Sequence, residues 1–311
     1  MKLVTDIKNR KRIKQKWDKK EVISCYIMIA LPIIGFLVFT LYPMIWAGRI
    51  SFFSYDGIDS HTKYVGWENY KVLFCSTSYW RTWTTNLIIF LIKMPLEMLL
   101  AFITAYMLTE KTKFAGFYRT MYYLPAIIGA AIVALMFSNL FDYFGVINAN
   151  LLRFGIIEKP INWFENTSTS MAVIMITTFW MSFGTNVLYF IAALSNVSKD
   201  VNESAMIDGA NGITRMFKIT LPMILPMTQV LMLLSINGIL HLGEIVLLLT
   251  GGAPAGTTYT VQAYLMRYIV PGFGGTSDLG YMAAASIVTS IICCIVAVVF
   301  NKIMGKIKEK Y

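Results

Sequence analysis

Long apolar runs divided by short polar connections dominate this chain, and their lengths predict its elements. Cys25–Ala47, Leu124–Phe141, Met171–Leu194 and Tyr281–Phe300 contain no charged residue. Pro222–Leu249 holds one, Glu244, and Trp83–Thr109 holds two, Lys93 and Glu97. About 20 apolar residues cross a bilayer as a helix, which pairs its backbone groups within itself. The pattern therefore predicts an all-α membrane protein with six transmembrane helices, at about 22–48, 83–109, 120–141, 170–195, 222–249 and 279–303. A basic arm over 1–21 would precede this six-span domain of 22–305, and 306–311 would form a short tail. Strand-period alternation is absent, which argues against a barrel.

Composition agrees with this class. Apolar residues make up 57% of the chain and charged residues 14%, unlike an average soluble domain. Charge placement then gives orientation. Of 27 Lys and Arg, nine lie in residues 1–20, three in 110–120, three in 196–218 and four after Asn301. Cationic residues stay on the cytoplasmic side, so both termini and the 196–221 loop are expected inside. The basic arm reads as an orientation signal drawn to anionic lipid rather than a nucleic-acid site. No cleaved signal peptide is expected, because Cys25–Ala47 is too long and ends without a small-residue cleavage site.

Candidate chemistry is sparse. Cys25, Cys75, Cys293 and Cys294 have no metal-site or disulfide spacing, and only two histidines, His61 and His241, are present. No catalytic cluster and no metal site are predicted. The phosphate-cradling pattern G-x-x-x-x-G-K-[ST] is missing, since Gly305-Lys306 is followed by Ile307. Any ATP would be bound by another polypeptide.

The loop from Asn196 to Pro222 is too long and too patterned for a simple reconnection. It reads Glu203-Ser204-Ala205-Met206-Ile207-Asp208-Gly209-Ala210-Asn211-Gly212, followed by Phe217-Lys218-Ile219-Thr220-Leu221-Pro222. Helical signals on both sides of Gly209 predict helix, turn and helix. Glu203 is expected near a helix start, where a carboxylate favours the helix dipole. Gly209 allows a turn that a side chain would oppose, and Pro222 suits the first turn of a span. Ala205 and Ala210 are small enough for a partner to approach closely.

This loop closely resembles the EAA loop of permease subunits of bacterial ABC importers, with Ser204 where alanine is usual. Further segments extend the resemblance to essentially the whole chain after residue 21. They are Val65-Gly66-Trp67-Glu68-Asn69-Tyr70, Phe117-Tyr118-Arg119-Thr120 with Leu124-Pro125, Phe144-Gly145-Val146-Ile147-Asn148, Leu249-Thr250-Gly251-Gly252 and Leu279-Gly280-Tyr281. Their order is similar to that of the first permease of carbohydrate-uptake systems of the maltose and glycerol-phosphate type. The resemblance implies the type I importer permease fold, in a bacterial plasma membrane. It implies a heterodimer with a second permease, two ATPase subunits that hold ATP and magnesium, and an extracytoplasmic sugar-binding protein. No cofactor would be bound by this chain. Glu203, Ser204, Ala205, Asp208, Gly209, Ala210 and Gly212 would form the ATPase-coupling loop.

The same resemblance places the substrate pathway on spans four and five. Asn237, His241 and Glu244 are spaced four and three, which puts them on one helical face, with Gly238 beside them. Ser182, Thr185, Asn186 and Tyr189 form a polar stripe on span four, with Trp180 nearby. Tyr189 or Trp180 could stack on a pyranose, while hydroxyls and amides also hold membrane helices together. Lys93 and Glu97 depart from the family pattern. Their spacing lets them neutralise each other around Pro95, which should kink the helix; alternatively Lys93 attracts an acidic sugar or a phosphate. Transport of a sugar or oligosaccharide is the favoured reading. An importer of a phosphorylated or acidic sugar derivative, or an ion-coupled carrier, is the alternative.

Overall fold

The computed structural model describes residues 19–109, 115–269 and 278–308. The basic segment up to residue 18, residues 110–114, residues 270–277 and the last three residues lie outside these. Residues up to Ile50 form one compact unit and those from Ser51 onward a second. In the first, α1 (Lys19–Phe36) passes through a π-helical turn, Leu37–Leu41, into α2 (Tyr42–Ile50). The helix continues past Pro32, and Tyr26, Met28, Leu31 and Phe39 are all exposed. An apolar surface all round a helix of this length suits lipid.

The second unit opens with a small hairpin, β1 (Phe53–Ser54) and β2 (Lys63–Tyr64), followed by α3 (Glu68–Cys75). Across the hairpin's loop, His61 Nδ1 lies 2.9 Å from Asp56 Oδ2. That bond, with the Ile58 amide, holds the Asp56 carboxyl below its ordinary value. Then come α4 (Thr77–Thr109), α5 (Ala115–Ile127), α6 (Ala130–Leu140), α7 (Val146–Arg153) and α8 (Thr167–Leu194). The 196–221 loop carries α9 (Lys199–Ile207) and α10 (Gly212–Thr214), and a π-helical stretch, Arg215–Thr220, joins α10 to α11 (Leu221–Met223). The chain ends with α12 (Leu225–Leu240), α13 (Glu244–Thr250), α14 (Val261–Met266) and α15 (Leu279–Lys308).

Among the described residues, four helical segments are long and apolar enough to cross a membrane: Val22–Ile50, Thr77–Thr109, Thr167–Leu194 and Leu279–Lys306. Two helix pairs qualify only as broken spans, which gives the expected six. Gly116–Ile127 meets Ala130–Leu140 at 94°, and Gly212–Met223 meets Leu225–Leu240 at 77°. Single helices over 120–141 and 222–249 therefore do not form. The first breaks after Pro125, where Gly129 has extended backbone. The second bends at Ile224 and breaks again at His241–Gly243. Conversely, α4 runs without interruption through Pro95.

The short motifs between spans prove to be knots of buried polar contacts. Asn69 donates from Nδ2 to the carbonyls of Ser51 and Phe53, each at 2.9 Å. A Cβ on Gly280 would overlap the Phe53 carbonyl oxygen, and the Leu279 amide donates to Tyr55 O at 2.8 Å. The first outer loop is thereby fastened to the start of the last span. Asn148, almost fully buried, donates to Ile161 O (2.8 Å) and accepts from the Ile161 amide and the Trp163 indole. Gly252, with φ +82°, faces the Tyr259 ring so closely that any side chain would overlap it. Unpaired buried polar groups are costly, and Asn69 and Asn148 supply such partners in the first two of these loops.

Candidate functional site

A cavity of about 450 Å³ lies between α4, α8, α12 and α13, with Ala130 of α6 at its edge. One wall belongs to α4 and α8, which pack along much of their length. Its centre is a buried network. Lys93 Nζ lies 3.0 Å from Glu97 Oε2, with side-chain exposures of 9% and 1%. Lys93 also donates to Ser182 Oγ at 3.1 Å. Glu97 Oε1 accepts from Ser182 Oγ at 2.5 Å and from Asn186 Nδ2 at 2.6 Å. A buried charge needs a partner and further hydrogen bonds, and here two spans supply them. Behind this wall, α5 lies against Gly184, where a Cβ would overlap the Tyr122 carbonyl oxygen.

The facing wall is the interruption between α12 and α13. A broken helix within a membrane leaves backbone groups that must find partners, and they are found. The Ile239 carbonyl accepts from Asn86 Nδ2 at 2.9 Å, and Asn86 Oδ1 accepts from the Val261 amide at 2.9 Å. The Leu242 carbonyl accepts from the Thr260 hydroxyl. The Gly243 amide donates to His241 O at 2.9 Å. Gly243 is needed because a Cβ would come within 2.6 Å of Gln262 Cγ and 2.7 Å of Met266 Sδ. His241 and Glu244 are both exposed.

Of the pathway residues read from sequence, Ser182, Thr185, Asn186, Tyr189, Gly238, His241 and Glu244 line this one cavity. Asn237 does not. Its carbonyl lies 2.9 Å from His241 Nδ1, and the helical face expected to join Asn237 to Glu244 is cut by the break. Trp180 also turns away, packing at 5.5 Å from the Phe137 ring, which leaves Tyr189 as the stacking candidate. Lys93, Thr178, Ser235 and Gly243 line the cavity without having been placed there from sequence. The Gly238–Gly243 pair astride His241 was the available signal.

The 196–221 loop is built from local signals. Ser198 Oγ accepts from the Asp200 amide at 3.2 Å and opens α9. Glu203 lies in the middle of α9 rather than near its start, and Asp200 holds the first-turn position. Gly209 ends the helix with φ +79°, while the Ala210 amide donates to Ala205 O at 2.9 Å. This is the left-handed helix ending that favours glycine. Asn211 Oδ1 then accepts from the Thr214 amide at 2.8 Å and starts the next helix, just before Gly212. Glu203, Ser204 and Asp208 are exposed, as are Met206, Ile207 and Ile213. Ala205 is buried, so its small size serves inward packing and not the close approach of a partner.

Residues 77–306 match the family described as binding-protein-dependent transport system inner membrane component. The chain belongs to this family. Similar proteins include the probable ABC transporter permease protein YesP of Bacillus subtilis (strain 168), 32% identical over 93% of both chains. The lactose transport system permease protein LacF of Rhizobium radiobacter is 29% identical, covering 88% of this chain and 92% of that one. The crystal structure of a bacterial ABC transporter that imports the acidic polysaccharide alginate has a chain of the same fold, with TM-score 0.79, 23% identity and 99% of both chains covered. This inner membrane component is thus a multi-pass permease of a binding-protein-dependent importer.

Proposed function

We propose that this permease conducts a sugar or oligosaccharide through the cavity between α4, α8 and the α12–α13 break, as one half of a heterodimeric core. The observation that carries this is the lining itself. Ser182, Thr185, Asn186, Tyr189, His241 and Glu244 gather donors, acceptors and an aromatic face in one chamber, as a polyhydroxylated ring requires. Relatives named for lactose and for arabinooligosaccharides point to the same substrate class.

An extracytoplasmic binding protein delivers the sugar, and two ATPase subunits hold ATP and magnesium. This chain carries out no covalent step. Loop 196–221 receives the ATPase, with Glu203, Ser204, Asp208, Gly209, Ala210 and Gly212 forming its surface and turn. Exposed Met206, Ile207 and Ile213 supply an apolar footing. Both termini are then cytoplasmic, consistent with the excess of Lys and Arg in those segments.

The test is uptake of labelled saccharides by cells with matched membrane abundance of wild type and Gly209→Pro. Proline cannot adopt φ +79° and would remove the amide that donates to Met206 O. Uptake should vanish, and the ATPase should no longer copurify. Normal, ATPase-independent uptake by the variant would overturn the proposal.

A further inference from the structure

The sequence alone left Lys93 and Glu97 open between a self-neutralising pair and an anion attractor. We infer a third role: Lys93 is a specificity-determining contact of the cavity, donating to an acceptor oxygen of an uncharged saccharide. Glu97, Ser182 and Asn186 form the frame that aims it. This inference rests on the sugar-transport reading above.

Three observations carry it. First, the two partners are placed differently. Lys93 lines the cavity, whereas Glu97, 1% exposed, lies behind it and does not. Second, the frame exceeds what neutralisation requires. Glu97 receives hydrogen bonds from Ser182 and Asn186 of α8 as well as the ion pair from Lys93 of α4. Lys93 spends two donors, on Glu97 Oε2 and Ser182 Oγ, and an ammonium has three. The ammonium is held by two spans with one donor uncommitted, on a residue that lines the cavity. A mobile lysine would lose rotamer freedom on meeting its ligand, and this one has already lost it.

Third, the charges of the wall select against an anion. The Lys93–Glu97 pair sums to zero. The remaining formally charged lining residue is Glu244, with His241 beside it. Among the described lining residues of this chain, a carboxylate sugar would meet Glu244 with no uncompensated cation to offset it, whereas hydroxyls can donate to Glu244 and accept from Lys93.

The decisive experiment uses the complete transporter, both permeases and both ATPases, in lipid nanodiscs without binding protein. Equilibrium dialysis with radiolabelled lactose, maltose, arabinotriose and digalacturonate gives affinities, and thermal unfolding is followed in parallel. Wild type should bind a neutral saccharide at least about tenfold more tightly than digalacturonate. The double variant Lys93→Met/Glu97→Met removes both charges together, which a protein interior tolerates far better than removing one. It should unfold near the wild-type temperature and bind the neutral saccharide about tenfold more weakly. Lys93→Arg, which keeps the ion pair but moves the donor, should also weaken binding. Wild-type affinity in both variants would make the pair purely structural and overturn the inference. Tighter binding of digalacturonate by wild type would overturn its charge argument. Failure of wild type to bind any of the four saccharides would instead refute the sugar reading itself.

Discussion

The two walls of the cavity solve opposite problems. On the α4–α8 side, a lysine and a glutamate are buried, and their charges and hydrogen bonds are met within the protein. On the α12–α13 side, the backbone is interrupted and its carbonyls are satisfied from α4 and the outer loop, while Glu244 and His241 stay exposed. One wall fixes side chains on an unbroken backbone. The other opens the backbone and leaves side chains free to meet water or substrate. The proposed sugar chamber would have to recognise a ligand and also change shape, and the features suited to each are divided between different spans.

Substitutions that separate the walls should differ in size accordingly. The largest effect belongs to Glu97→Ala, which strands the Lys93 ammonium and should cost about 3–5 kcal/mol, read as loss of folded protein in thermal unfolding of the nanodisc complex. Gly184→Ala comes next. Its new Cβ would strike the Tyr122 backbone, and overpacking of that kind costs up to about 3 kcal/mol. Reduced membrane abundance should report it. Gly243→Ala on the opposite wall meets the Gln262 and Met266 side chains and, at 3.1 Å, the Gln262 carbonyl carbon, a milder clash than that with Tyr122, so about 1–2 kcal/mol is expected. Uptake should fall further than stability there, because the break itself is displaced. The smallest stability effect should come from Glu244→Gln, within about 0.5 kcal/mol for an exposed side chain, alongside a changed order of preference among saccharides. A Glu244→Gln variant as unstable as Glu97→Ala would erase the distinction between the walls.

Legibility from sequence followed the range of the forces involved. The loop around Gly209 was readable because Ser198, Gly209 and Asn211 act on backbone groups within a few residues of themselves. The spans were readable because a bilayer imposes a length. The bends were not, since an apolar run has the same composition whether its helix is straight, as through Pro95, or turned by 94° after Pro125. The single face drawn from Asn237 to Glu244 assumed a continuous helix, whereas the break after His241 separates Glu244 from it. The ties from Lys93 and Glu97 to Ser182 and Asn186 cross more than eighty residues of chain, and only packing brings them together. The burial of Ala205 was hidden as well, because alanine is small enough for a surface or a core.

The bend at Ile224 has a mechanical consequence. The limb Gly212–Met223 and helix α12 meet there at 77°, and Ile224 is itself buried. Its amide is bonded to Thr220 O, and its carbonyl accepts from the Met227 and Thr228 amides, so the joint is stiff. At about 1.5 Å per residue the two arms are roughly 18 and 24 Å long. A thrust on the Gly212–Met223 arm would swing α12 sideways about this joint, which is the motion the proposed coupling requires. One ångström at that arm's tip becomes about 1.3 Å at the His241 end, by the ratio of those lengths.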